Sequence, residues 1–156
     1  MKKILMVCMG NICRSPMAKA VLQKTIAEVA VAGNLQVDSA GTAAHAGDRV
    51  DGRALAALER RGYMGLKHRA RRVVAKDFES FDLILAMDSS NLADLQKSCP
   101  HTLQHKVKLL TFFAPSAAGP DVPDPYFGNV QGFEKVLDLC EVAIAGLVRH
   151  HQAGSL

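Results

Sequence analysis

Short apolar runs alternate with helix-period segments along the whole chain, and this alternation restricts the fold more than any other feature. The runs cover about residues 3–8, 35–39, 81–87 (FDLILAM) and 106–112 (KVKLLTF). Between and after them, apolar residues recur at helical spacing. About 15–31 carries Met17, Val21, Leu22 and Ile26, and about 51–61 carries Leu55 and Leu58. About 89–98 carries Leu92 and Leu95, and about 130–150 carries a stripe from Phe133 to Val148. Strands this short and apolar bury both faces. The pattern predicts an α/β fold, a four-stranded parallel sheet with helices on both faces. Arg60 and Arg61 suit the negative end of the second helix, and Gly62 its C-cap. The chain has 156 residues and no repeat, linker or low-complexity stretch, so one domain over 1–156 is expected.

In open parallel sheets, ligands bind beyond the carboxyl ends of the strands. Each polar cluster of this chain follows a strand. Cys8 to Ser15 follows the first, Ser39-Ala40-Gly41-Thr42 the second, and Asp88-Ser89-Ser90-Asn91 the third. Asp121 to Phe127 lies in the proline-rich connection Ala114–Asn129 that follows the fourth. The topology should bring all four to one rim.

The first cluster carries the chemistry. Val7-Cys8-Met9-Gly10-Asn11-Ile12-Cys13-Arg14-Ser15-Pro16 reads as a strand end, a tight loop and a helix start. Ser15 fits the N-cap and Pro16 the first helical position. The amides of Met9, Gly10, Asn11, Ile12 and Cys13 can form an anion-binding concavity at the carboxyl end of the first strand. The helix N-terminus adds positive potential, and Arg14 adds a fork matched to two phosphate oxygens. A thiol at Cys8 ionises more readily there than a free one. Cys8 is thus a candidate nucleophile in a phosphate cradle, and Ser15 is placed either to cap the helix or to hydrogen-bond the sulfur. The leaving oxygen needs a proton from an opposing carboxylic acid. Asp121 and Asp124 are both candidates, and spacing does not rank them.

Composition narrows the partners. A formal charge of +4 and a pI near 9.0 suit acidic partners such as phosphoproteins. Aromatic content of 5% argues against base-stacking platforms, hence against nucleic acid. The basic run Lys67–Arg72 reads mostly as a solvated face. No apolar stretch reaches the 18 or so residues of a membrane span. The four cysteines (8, 13, 99 and 140) follow no secretory signal, which predicts free thiols in a reducing cytoplasm. Metal-ligand spacing is missing, so neither a metal nor another cofactor is expected.

V-C-x-G-N-I-C-R-S-P at the N-terminus, S-A-G-T at 39–42, H-x-A-R at 68–71, F-D-x-I-L-x-M-D at 81–88 and D-P-Y at 124–126 resemble the low-molecular-weight protein tyrosine phosphatases over nearly the whole chain. The resemblance implies metal-independent hydrolysis of phosphotyrosine on proteins through a phosphocysteine. It implies Cys8 as nucleophile, Arg14 as phosphate ligand and Asp124 as general acid. Asn11 and Ser39 would shape the loop, with His68 and Asp88 as its supporting polar network. Tyr126 and Phe127 would form an aromatic wall, and Cys13 resembles the second cysteine that pairs reversibly with Cys8 under oxidation.

One departure stands out. Many members carry Trp or Tyr in the loop after S-A-G-T, where this chain has Ala43-Ala44-His45-Ala46-Gly47. The short loop is closer to bacterial members that oppose tyrosine kinases of polysaccharide export, which makes such a kinase the implied partner. Two alternatives share the fold. Arsenate reductases need further cysteines to relay a disulfide, and Cys99 and Cys140 form no close pair in sequence. Protein arginine phosphatases tend to carry Thr where Ile12 stands, and a branched apolar residue there favours a phenyl ring over a guanidino group.

Overall fold

The computed structural model describes residues 1–117 and 119–156, and at residue 31 the backbone alone. Residue 118, inside the expected long connection, lies outside the described residues. Four parallel strands, β1 (Lys2–Cys8), β2 (Leu35–Gly41), β3 (Leu83–Ala86) and β4 (Val107–Leu109), form a sheet in the order β2-β1-β3-β4. Successive strand residues point to opposite faces. Ile4 and Met6 of β1 therefore enter one core and Leu5 and Val7 the other. The first core is covered by α1 (Arg14–Glu28), α2 (Gly52–Arg60) and α5 (Val130–Gln152). The second is covered by α3 (Ala75–Ser80) and α4 (Ser89–Ser98). The predicted α/β sheet with helices on both faces is the observed one. No helix among the described residues is long and apolar enough to cross a membrane.

Several boundaries differ from the sequence reading. The first helix stops at Glu28 rather than 31, and a 3-10 turn, Ala30–Asn34, leads into β2. The fourth apolar run divides into β4 and a 3-10 turn, Leu110–Phe113. The helix α3 was not foreseen. Six residues are too few for a periodicity to show, and its start is set by the Asp77 carboxylate accepting the Val74 N–H at 2.8 Å.

Gly62 does end α2. Its φ of 80° lets Gly62 N–H reach the Glu59 carbonyl while Tyr63 N–H reaches Leu58. Arg60 and Arg61 do more than complement the helix end. Arg61 reaches Glu134, Asp138 and Glu141 of α5, and Arg60 also pairs with Glu134.

α5 crosses the Leu110–Phe113 turn at Gly146. A Cβ built there would strike the Phe113 carbonyl oxygen, so only glycine permits this approach. Gly146→Ala should therefore destabilise the protein by about 1–3 kcal/mol through overpacking. That loss outweighs the gain of about 1 kcal/mol that alanine normally brings to a helix. Urea unfolding of the two proteins measures the difference.

Candidate active site

The chain turns at the end of β1 through residues 9–13 and enters α1 at Arg14. Within this turn Asn11 adopts φ 55°, the only non-glycine residue with positive φ among those described. Asparagine tolerates that region better than most residues. Its hydrogen bonds secure it there. Asn11 Nδ2 donates to Ser15 Oγ at 2.8 Å and to Ser39 Oγ at 3.0 Å. Its Oδ1 accepts the Arg71 N–H at 3.0 Å. Its carbonyl lies 2.7 Å from His68 Nε2, and since a carbonyl only accepts, this nitrogen carries the proton. Burial holds the His68 pKa below its ordinary value, which keeps the ring neutral at pH 7. Asn11 N–H in turn donates to Cys8 Sγ at 3.3 Å.

Ser15 does not cap the helix. The N-cap position falls on Cys13, which makes no side-chain cap bond, and Ser15 and Pro16 lie inside the first turn. The Ser15 hydroxyl is occupied elsewhere, 3.0 Å from Cys8 Sγ and accepting from Asn11. Without a side-chain cap, the first-turn N–H groups of α1 are left for an anion. The loop also needs room. At Gly41 a Cβ would collide with the Met9 carbonyl, while Thr42 and Ala43 N–H bond the carbonyls of Cys8 and Met9 at 2.9 Å.

Arg14 is 3% exposed and is held from the far side of the cleft. Its Nη1 donates to Asp88 Oδ2 at 2.6 Å and to the Val122 carbonyl at 3.0 Å. Asp88 also caps α4, accepting the Asn91 N–H at 2.7 Å. The other guanidinium nitrogen, Nη2, lies 3.6 Å from Asp124 Oδ2. Here the two aspartates separate. Asp121 Oδ1 is engaged by Ser89 N–H and Oγ at 2.8 and 2.7 Å, fastening the connection to α4. Asp124 instead lines the cleft.

That cleft, about 280 Å³, has Cys8, Met9, Gly10, Ile12, Cys13 and Arg14 on its floor. Ala43, His45 and Asp48 line it on one side, and Asp124, Tyr126 and Phe127 on the other. Tyr126 and Phe127 meet edge to face at 4.9 Å, and Phe127 is 95% exposed. The structure thus gathers Cys8 to Arg14, Asp124 and the two aromatic residues around one space. Ser15, Ser39, His68 and Asp88 stand behind them as braces.

Cys13 differs from Cys8 in its surroundings. Burial, and then the Asp51 carboxylate, push its thiol up to about 12, so it is neutral at pH 7. Asp51 also N-caps α2 through Arg53 N–H, and its own N–H donates to the Ile12 carbonyl at 2.9 Å. No sequence motif marks Asp48, Asp51 or Arg53, whose guanidinium covers the Tyr126 ring at 5.4 Å. Arg71 departs from the solvated face expected of the 67–72 run. Only the H-x-A-R spacing marked Arg71 out, as its side chain pairs with Asp38 and Asp77.

Two substitutions separate strain from hydrogen bonding at Asn11. Asn11→Ala removes the side-chain bonds and leaves a Cβ in a left-handed conformation, which should cost about 2–4 kcal/mol. Asn11→Gly removes the same bonds without the strain and should recover about 1 kcal/mol of that loss. Chemical unfolding reports the stabilities.

The chain is similar to known proteins over nearly its whole length. The family described as low molecular weight phosphotyrosine protein phosphatase matches residues 3–154. The low molecular weight protein-tyrosine-phosphatase of Streptomyces coelicolor is 41% identical over 150 residues, 94% of this chain and 91% of that protein. The human low molecular weight phosphotyrosine protein phosphatase is 39% identical over 142 residues, 89% of each chain. A protein tyrosine phosphatase structure from Entamoeba histolytica superposes with a TM-score of 0.95 at 38% identity, covering 100% of both chains. An arginine phosphatase from Geobacillus stearothermophilus superposes at 0.86 with 28% identity, covering 99% of this chain and 95% of that one. Matched along nearly its full length, the chain belongs to the low molecular weight phosphotyrosine protein phosphatase family.

Proposed function

We propose that residues 1–156 form one phosphatase domain that hydrolyses phosphotyrosine on proteins through a phosphocysteine intermediate. The observation that carries this reading is the convergence of Cys8 Sγ, Arg14 and Asp124 on one cleft, with Asp124 held 3.6 Å from the guanidinium. In the first step the Cys8 thiolate attacks phosphorus and the bond to the tyrosyl oxygen breaks. Asp124 gives that oxygen its proton. The loop amides and Arg14 stabilise the equatorial oxygens as the phosphoryl group passes. Asp124, now a carboxylate, takes a proton from water, which attacks the phosphocysteine. Phosphate leaves and the thiolate returns. Ser15, 3.0 Å from the sulfur, supports the thiolate as it departs.

No step in this scheme requires a metal, so activity on a phosphotyrosine peptide should persist in EDTA. Cys8→Ser should abolish turnover. Asp124→Ala should lower kcat by about 10²–10⁴. Asp121→Ala should cost far less, because its carboxylate is engaged with Ser89. Steady-state kinetics on the three variants decide the assignment, and a more damaging Asp121→Ala would reverse it.

Arginine phosphatase activity is the second reading, favoured by the similarity to the Geobacillus enzyme. Ile12 on the cleft floor and the Tyr126–Phe127 rim favour a phenyl ring. Arsenate reduction has less support, as Cys140 is buried on α5 and Cys99 on the end of α4. The four free cysteines support a reducing cytoplasm as the compartment. A bacterial tyrosine kinase of polysaccharide export is the partner we assign to the short 43–47 loop.

Oxidation adds a role for Cys13, which lines the same cleft as Cys8. Peroxide converts the Cys8 thiolate to a sulfenic acid. The Cys13 thiol then displaces water from it to form a disulfide that thiols reduce. Mass spectrometry after peroxide should find the Cys8–Cys13 crosslink. Cys13→Ser should recover much less activity on reduction than the parent protein.

A further inference from the structure

Beside the cleft lies a second hollow of about 460 Å³. Its floor is Val50, Leu55 and Leu66, all partly buried, and its rim carries Arg49, Lys67 and Arg69. No carboxylate lines it. Six of the nine arginines, at 14, 53, 60, 61, 71 and 72, hydrogen-bond to protein groups. Arg49, Lys67 and Arg69 have no ion pair or side-chain hydrogen bond among the described residues. Three cations paired with no acid of the described chain, over an apolar floor, call for an acid from elsewhere.

The hollow adjoins the catalytic cleft through neighbouring residues of the chain. Asp48 lines the cleft and the next residue, Arg49, lines the hollow. His68 lines the hollow while its ring reaches Asn11 in the loop. From 67 to 70 the chain alternates outward and inward, so Lys67 and Arg69 are exposed while His68 and Ala70 turn in. A polypeptide with its phosphorylated residue in the cleft has its neighbouring residues within reach of this rim.

We propose that the hollow docks an acidic stretch, flanking the phosphorylated residue, of the phosphoprotein substrate. The proposal rests on the phosphomonoester reading of the cleft and adds to it a sequence preference. Exposed ion pairs are individually weak, so the effect comes from three together and is screened by salt. Aryl phosphates are too small to reach the rim and are indifferent to it.

The test compares two phosphotyrosine peptides that differ only in flanking Asp and Glu replaced by Asn and Gln. At low salt kcat/KM should favour the acidic peptide about tenfold, and 0.5 M NaCl should remove most of that advantage. The variant Arg49→Gln/Lys67→Gln/Arg69→Gln should treat both peptides alike and hydrolyse para-nitrophenyl phosphate at the parent rate. Equal rates on the two peptides in the parent protein, or an acidic preference that survives in the variant, overturn the proposal. If neither phosphotyrosine peptide is cleaved while the aryl phosphate is, the phosphotyrosine reading fails instead. The groove is then judged by the same comparison on phosphoarginine peptides. Single-stranded DNA that suppresses acidic-peptide turnover at lower charge concentration than poly-glutamate would assign the hollow to nucleic acid and also overturn the proposal.

Discussion

The site depends on Asn11 being held in a conformation that an isolated chain would rarely adopt. A five-residue turn from a strand into a helix must reverse its backbone sharply, and Asn11 supplies the reversal at φ 55°. Its partners come from widely separated parts of the chain: Ser15 on α1, Ser39 on β2, and His68 and Arg71 on the extended segment before α3. Each is positioned by the sheet. β2 pairs with β1 in a register that sets Met6 beside Ser39 and Cys8 beside Gly41. The missing Cβ of Gly41 then lets the loop backbone pass. The 64–72 segment is drawn in because Gly41 N–H donates to the Arg71 carbonyl and the Gly41 carbonyl accepts the Val73 N–H, a parallel bridge centred on Arg72.

The opposite side of β1 supplies the second constraint. The strand order places β1 next to β3, and the order in which strands are added to the sheet reverses between them, where α/β folds open a crevice. Asp88 leaves β3 at this point and serves two groups with its two oxygens, the N-terminus of α4 and the Arg14 guanidinium. The Val122 carbonyl holds the same Arg14 nitrogen, and its N–H is tied to Met87. The connection that carries Asp124 is thus registered to the sheet through the residue it faces. A guanidinium fixed in this way needs little reorganisation when an anion arrives, which is where enzymes gain most from charge.

Fold membership leaves the substrate side chain open, since tyrosine and arginine phosphatases both appear among the structures this chain resembles. The discriminating features lie on the rim. Ile12, Tyr126 and Phe127 offer apolar and aromatic surface, while Ala43, His45 and Asp48 line the opposite side. The excess of positive charge is also uneven. Most arginines are tied to acids or carbonyls, as Arg61 is to three residues of α5, whereas those of the neighbouring hollow are not.

The sequence by itself determined the sheet, the strand-loop-helix junction and the rim on which the polar clusters meet. Those follow from local periodicity and from the rule that parallel strands expose their carboxyl ends to ligands. Three matters were decided only in three dimensions. Ser15 lies inside the first turn of α1, and its hydroxyl bonds Asn11 and Cys8, four and seven residues away, instead of capping the helix. Asp121 and Asp124 are alike in sequence, each beside a proline, and differ only in whether Ser89 or Arg14 lies opposite. The run Lys67–Arg72 carries one kind of charge throughout. Packing turned His68 and Arg71 inward to brace the loop and left Lys67 and Arg69 facing water. In the last two cases the deciding partner is remote along the chain, and in the first it lies across a loop; periodicity carries no record of either.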